Sequence, residues 1–139
     1  KYAKRKVARA ISTREFMHVI FKSHSMVLRK NHRMIKQVFH ETQLKFGVRV
    51  KAVAIMENHL HFAIKTPTRT AFANSMRYFA GMVALRIGRG KLWKQRVWSR
   101  VVRAGCDLNG VLKYIFENPI KAGIVSEIDL YKIRAGVVG

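Results

Sequence analysis

The sequence predicts an α+β fold: one four-stranded antiparallel sheet, two helices packed on one face, and a further helix near the C-terminus. Three observations carry this. Short apolar runs of strand length alternate with longer stretches whose apolar residues recur at helical spacing. Only about two residues separate the two middle strands, which forces them into an antiparallel hairpin. Each helical stripe also ends at a glycine or a proline. The 139 residues, 49% of them hydrophobic, suffice for one ordinary domain with a core.

The elements follow in order. Residues 15–22, EFMHVIFK, are an apolar run bounded by polar residues, a buried strand. From Met26 to Phe46, Leu28, Ile35, Phe39 and Phe46 form a helical stripe, with Ser25 as its expected cap and Gly47 as its stop. Residues 48–56, VRVKAVAIM, alternate at first and then become apolar throughout, a second strand. Glu57-Asn58 is a turn, and in 59–65, HLHFAIK, every second residue from Leu60 is large and apolar. Within 69–88, Phe72, Met76, Phe79, Val83 and Ile87 make a second helical stripe, stopped at Gly88-Arg89-Gly90. Residues 97–103 read as a fourth strand. Leu108, Val111, Leu112 and Ile115 define a third helix over 105–118, with Asp107 as its expected N-cap and Pro119 closing it. The order β-α-β-β-α-β is ferredoxin-like, βαββαβ, with a C-terminal helix added. Two helices on one face leave the opposite face open for work.

Composition narrows the partners. Lys and Arg number 28 against 7 Asp and Glu, a net charge of +21. A surface this basic asks for a polyanion, and nucleic acid is the first candidate. No stretch approaches the roughly 18 apolar residues of a membrane span, so no membrane role is expected. The start, KYAKRKVARA, is basic without an apolar core, so it is no secretory leader; lacking Met, it is expected to be a processed or trimmed start. A single cysteine, Cys106, excludes a disulfide framework and a cysteine-based zinc site, which suits the cytoplasm. Few acids leave little material for a carboxylate metal cage or a glycosidase-type acid pair.

One constellation stands out. Strand alternation puts Leu60, Phe62 and Ile64 under the helices and places His59 and His61 together on the opposite face. Two imidazoles two residues apart can converge on one divalent metal; equally, they can contact phosphate or solvent. On the third helix, Tyr114 and Asn118 are four apart and therefore neighbours on its flank. They can offer a phenol oxygen and an amide oxygen to the same space. The alternative is a tyrosine at a core edge and an asparagine ending a helix.

A resemblance bears on the choice. AVAIMENHLHFAIK (52–65), LWKQRVWSRVVR (92–103) and YIFENPIKAGIV (114–125) resemble three blocks of the small single-tyrosine transposases with a His-hydrophobic-His (HUH) motif. The REP-associated tyrosine transposases, which act on single-stranded hairpin DNA, are the branch it is most similar to. The likeness spans most of residues 10–126. It implies that His59 and His61 bind a divalent metal, Mg²⁺ or Mn²⁺, that Asn118 completes that site, and that Tyr114 is the nucleophile. The implied activity is a metal-dependent single-stranded DNA transesterase, cutting and rejoining hairpin DNA through a covalent 5′-phosphotyrosine. Where the family usually has Met-Pro-Asn-His-Val-His, this chain has Met56-Glu57-Asn58-His59-Leu60-His61, so Glu57 replaces a proline. The division expected is a basic arm (1–14), one HUH-type catalytic domain (15–126) and a tail (127–139).

Candidates for the DNA backbone are Arg29, Lys30, Arg33, Arg86, Arg89, Lys91, Lys94, Arg96, Arg100 and Arg103. Trp93 and Trp98 are candidates for base stacking, although Trp98, within a strand, is expected in the core. His18, between Phe16 and Ile20, is expected to be packed or hydrogen-bonded, Tyr78 to sit at a core edge or stack on a base, and Cys106 to be a small core or cap residue. The expected partner is single-stranded or hairpin DNA in the bacterial cytoplasm, at the nucleoid. One nucleophile per chain implies successive steps or a homodimer. Two other readings compete: a non-enzymatic ferredoxin-like nucleic-acid binder, and a metal-independent RNA-processing endonuclease with a histidine base.

Overall fold

A computed structural model describes residues 10–88, 90–94 and 97–121. The basic arm up to residue 9, the tail, the proposed boundary at 126, Tyr2, Tyr131, Arg89 and Arg96 lie outside the described residues.

The elements are β1 (Phe16–Lys22), α1 (His32–Phe46), β2 (Arg49–Ile55), β3 (His59–Lys65), α2 (Arg69–Ile87), β4 (Trp98–Val102) and α3 (Cys106–Lys121). The strands form one antiparallel sheet in the order β2-β3-β1-β4, the ferredoxin-like arrangement. In β1 the alternation sends Met17, Val19 and Phe21 to one face, where they meet Leu60, Phe62 and Ile64 of β3 beneath α1 and α2. Phe39, Phe62 and Phe79 pack ring against ring at the centre of this core. Gly47 and Gly88 end α1 and α2 with φ of +73° and +85°, a left-handed conformation that glycine adopts without strain.

The opposite face is partly roofed. The stripe of α3, Leu108, Val111, Leu112 and Ile115 with Phe116, packs on Ala52, Ala54, Ala63, Val102 and Phe16. Three alanines beneath the helix let it lie close to the sheet. This second layer explains why β2 turns apolar on both faces. A bulge between Val50 and Ala52 lets Val50 and Val53 both face α1 and α2, while Ala52 and Ala54 face α3.

Several boundaries and caps differ from expectation. The first helix does not start at Met26: a 3₁₀ turn over Arg29–Asn31 precedes α1, whose N-cap position is Asn31, so Ser25 is not its cap. The third helix runs through Pro119 to Lys121. Pro119 lies in its last turn, where it gives up the backbone bond to Ile115 and crowds that carbonyl, with few helical residues left to disturb beyond it. Asp107 lies inside the first turn of α3 rather than at its cap. Its carboxylate accepts from the Arg103 backbone N–H at 2.9 Å and pairs with Arg100 at 3.1 Å. Among the described residues, no helix is long and apolar enough to cross a membrane.

Candidate active site

Strand register builds the site. On the α3 side of the sheet, Ile20 of β1 stands between His61 of β3 and Trp98 of β4, while His18 stands between Ala63 and Arg100. Lys22 is paired with His59. Strands β1, β3 and β4 therefore offer His18, His59, His61, Trp98 and Arg100 to one surface. From above, α3 adds Tyr114, whose ring meets His61 edge to face at 5.4 Å between centroids and His18 at 6.2 Å.

The histidines are ordered by their ring nitrogens. Nδ1 of His59 is 3.0 Å from Oδ1 of Asn58, and Nδ1 of His61 is 3.3 Å from Nε2 of His18. The His59 and His61 rings are 5.0 Å apart and nearly perpendicular. Burial lowers the pKa of His61 to about 4, helped by the charges of His59, His18 and Lys22. Burial, then the Arg100 guanidinium, lowers that of His18 to about 4. His59 is lowered by burial and then by Lys22. All three are accordingly neutral near pH 7, the form that can bind a metal.

An open cleft of about 490 Å³ lies beside Tyr114, with His18, Ile20, Trp98, Arg100, Asp107 and Gly110 along its walls. Tyr114 is 49% exposed and Trp98 is 41% exposed. The exposure of Trp98 overturns its expected place in the core: β4 is a sheet edge, and α3 leaves its first residue uncovered. Trp93 is the core tryptophan, donating Nε1–H to the Ala80 carbonyl at 2.9 Å and packing on Phe21. Cys106 is not a core residue either; it is exposed, opens α3 and lines the cleft.

Among the described residues, no three His, Cys, Asp or Glu side chains gather as a metal site. What the sheet offers is two imidazoles, each with Nδ1 already engaged; on α3, one turn beyond Tyr114, Asn118 has a buried Nδ2 with no hydrogen-bond partner. An amide flip exchanges nitrogen for oxygen, so that buried position can carry the atom a cation takes. Two imidazole nitrogens suit a divalent metal that draws its remaining ligands from oxygen.

The basic candidates are dispersed. Lys30, Arg33, Lys91, Lys94 and Arg103 are exposed and Arg29 is half-buried. Arg86 is paired with Glu41 at 2.8 Å and Arg100 with Asp107 at 3.1 Å, so both meet DNA only by sharing or leaving an acid. Tyr78 takes its core-edge place, donating to Glu41 at 3.3 Å and packing on Phe46. Sequence reasoning missed His18 as a member of the site. Its signal was the alternation of β1, but only the β1–β3 register brings it to His61.

Comparison with known proteins agrees with this architecture. The model of the IS200-like transposase family matches residues 15–115, most of the chain and a span that includes His59, His61 and Tyr114. The chain belongs to the IS200-like transposases. Among solved structures, it is similar to a REP-associated tyrosine transposase bound to a REP hairpin, with a TM-score of 0.76 and 18% identity over 88% of this chain and 76% of that one. A Deinococcus radiodurans R1 protein described as a candidate transposase overlaps with a TM-score of 0.46 and 15% identity, over 85% of this chain and 96% of that one. No curated protein matches the sequence.

Proposed function

We propose that this transposase is a metal-dependent, single-tyrosine DNA transesterase acting on single-stranded or hairpin DNA in the cytoplasm, at the nucleoid. The observation that carries the reading is the meeting of Tyr114 with His61 beside an open cleft. In this reading His59 and His61, with Asn118, hold Mg²⁺ or Mn²⁺, and the similar solved transposase, bound to a REP hairpin, supports the choice of DNA. A bound divalent cation would withdraw charge from a non-bridging phosphate oxygen and ease nucleophilic attack.

The protein's own groups do the rest. Tyr114 Oη bonds to phosphorus while the bond from phosphorus to the 3′ oxygen breaks. The phenol gives up its proton, and the departing 3′ oxygen takes one up. The phosphate stays on Tyr114 as a 5′-phosphotyrosine, so the strand can be resealed without a nucleotide cofactor. The 3′ hydroxyl of an incoming end reverses the step, on one chain in succession or with a second copy. Trp98 presents an aromatic face to an unpaired base in the cleft, and Lys30, Arg33, Lys91, Lys94 and Arg103 hold the backbone.

The test is cutting of a labelled REP-type hairpin with and without Mn²⁺. The wild type cuts only with metal, and His59→Ala and His61→Ala abolish cutting. Full activity in both variants contradicts the metal site, and binding without cutting under every metal condition favours a non-enzymatic binder.

A further inference from the structure

His18 sits in the middle of β1 and reaches across to β3. Its Nε2 lies 3.3 Å from Nδ1 of His61, and the two rings are stacked 5.5 Å apart at 24°. Both side chains are buried, at 5% and 4% exposure. A contact between two ring nitrogens needs one N–H and one lone pair. Two arrangements provide them. If His18 donates from Nε2, His61 uses its lone pair on Nδ1 and carries its own proton on Nε2, where it can no longer ligate. If His61 donates from Nδ1, its Nε2 keeps a lone pair and His18 carries its proton on Nδ1. Only the second arrangement makes His61 a ligand.

The neighbouring histidine shows the same device built from a different group. Asn58 Oδ1 can only accept, so the 3.0 Å contact puts the His59 proton on Nδ1 and leaves Nε2 with its lone pair. His18 itself is held in place by Trp98, edge-on at 5.5 Å, and by Tyr114. Its Nε2 is already spent on His61.

We propose that His18 is a positioning residue: it accepts the Nδ1–H of His61, fixes that tautomer and ring orientation, and so keeps Nε2 of His61 available to a divalent cation. The proposal rests on the reading of His59 and His61 as metal ligands. Outer groups that orient a ligating histidine typically contribute about 10–100-fold in metal affinity. His18→Phe keeps an aromatic ring but removes the acceptor. His18→Gln restores an acceptor oxygen at similar reach.

The test uses the full chain without DNA. Long-range ¹⁵N–¹H spectra of the metal-free protein identify which nitrogen of His61 is protonated, and Mn²⁺ titration followed by electron paramagnetic resonance gives the affinity. The expected results are an Nδ1–H tautomer at His61, Mn²⁺ affinity about 10–100-fold weaker in His18→Phe, and recovery of most of it in His18→Gln. An Nε2–H tautomer in the wild type overturns the proposal. So does an unchanged Mn²⁺ affinity in a folded His18→Phe while His59→Ala loses binding. If His59→Ala binds Mn²⁺ as the wild type does, the ligand reading itself fails and takes the proposal with it. The tautomer spectrum needs no variant, so the question stays decidable if His18→Phe does not fold.

Discussion

The ring of Tyr114 stands nearly perpendicular to that of His61, at 83° with 5.4 Å between centroids. A helix residue and a strand residue distant in sequence meet because α3 folds back over the sheet. Ile115, next to Tyr114 and fully buried against Ala52, Ala54 and Ala63, anchors that return.

Ile115→Ala removes this anchor and leaves a cavity under α3. The expected loss of stability is about 2–5 kcal/mol, read from urea unfolding of the wild type and the variant. A loss below about 0.5 kcal/mol would mean that α3 is not held by this packing.

Acid should destabilise the metal-free protein through His18 and His61. Their folded pKa values are lowered from 6.5 to about 4. Between those limits the unfolded chain binds protons that the folded chain does not. The contribution to stability is therefore complete above about pH 6.5 and is lost as pH falls toward 4. Unfolding measured at pH 7, 6 and 5 should show this slope, and replacing both histidines by Phe should flatten it. A wild-type slope already flat over that range would show that the two imidazoles are not buried in neutral form.

Trp98→Ala should weaken binding of single-stranded DNA with little effect on folding, because the side chain is largely outside both cores. Stacking on one base is worth about 1–3 kcal/mol, or roughly 5–150-fold in affinity. Fluorescence anisotropy with a labelled oligonucleotide reads it. Unchanged affinity would remove the cleft from the DNA path.

The strand and helix order was legible because each element carries its own periodicity, and Leu60, Phe62 and Ile64 landed under the helices as alternation requires. The face opposite α1 and α2 was expected to be open; α3 covers part of it, which accounts for the apolar residues on both faces of β2. The place of His18 was not legible. A lone histidine between Phe16 and Ile20 has no motif, and its partner is set by a register between β1 and β3 that no local pattern encodes. Trp98 misled for a related reason. Alternation gives it the same face as Arg100, but whether α3 covers that face depends on where the helix comes to rest. Pro119 shows the limit of a local rule, since a proline in a last turn need not end the helix.

The central claim is that Tyr114 is the nucleophile, and a denaturing gel tests it most directly. The wild type, incubated with labelled hairpin DNA and Mn²⁺, should give a protein–DNA adduct that survives denaturation, together with a free 3′ hydroxyl fragment. Tyr114→Phe, with unchanged folding, should give no adduct. An adduct of undiminished yield in Tyr114→Phe would contradict the account.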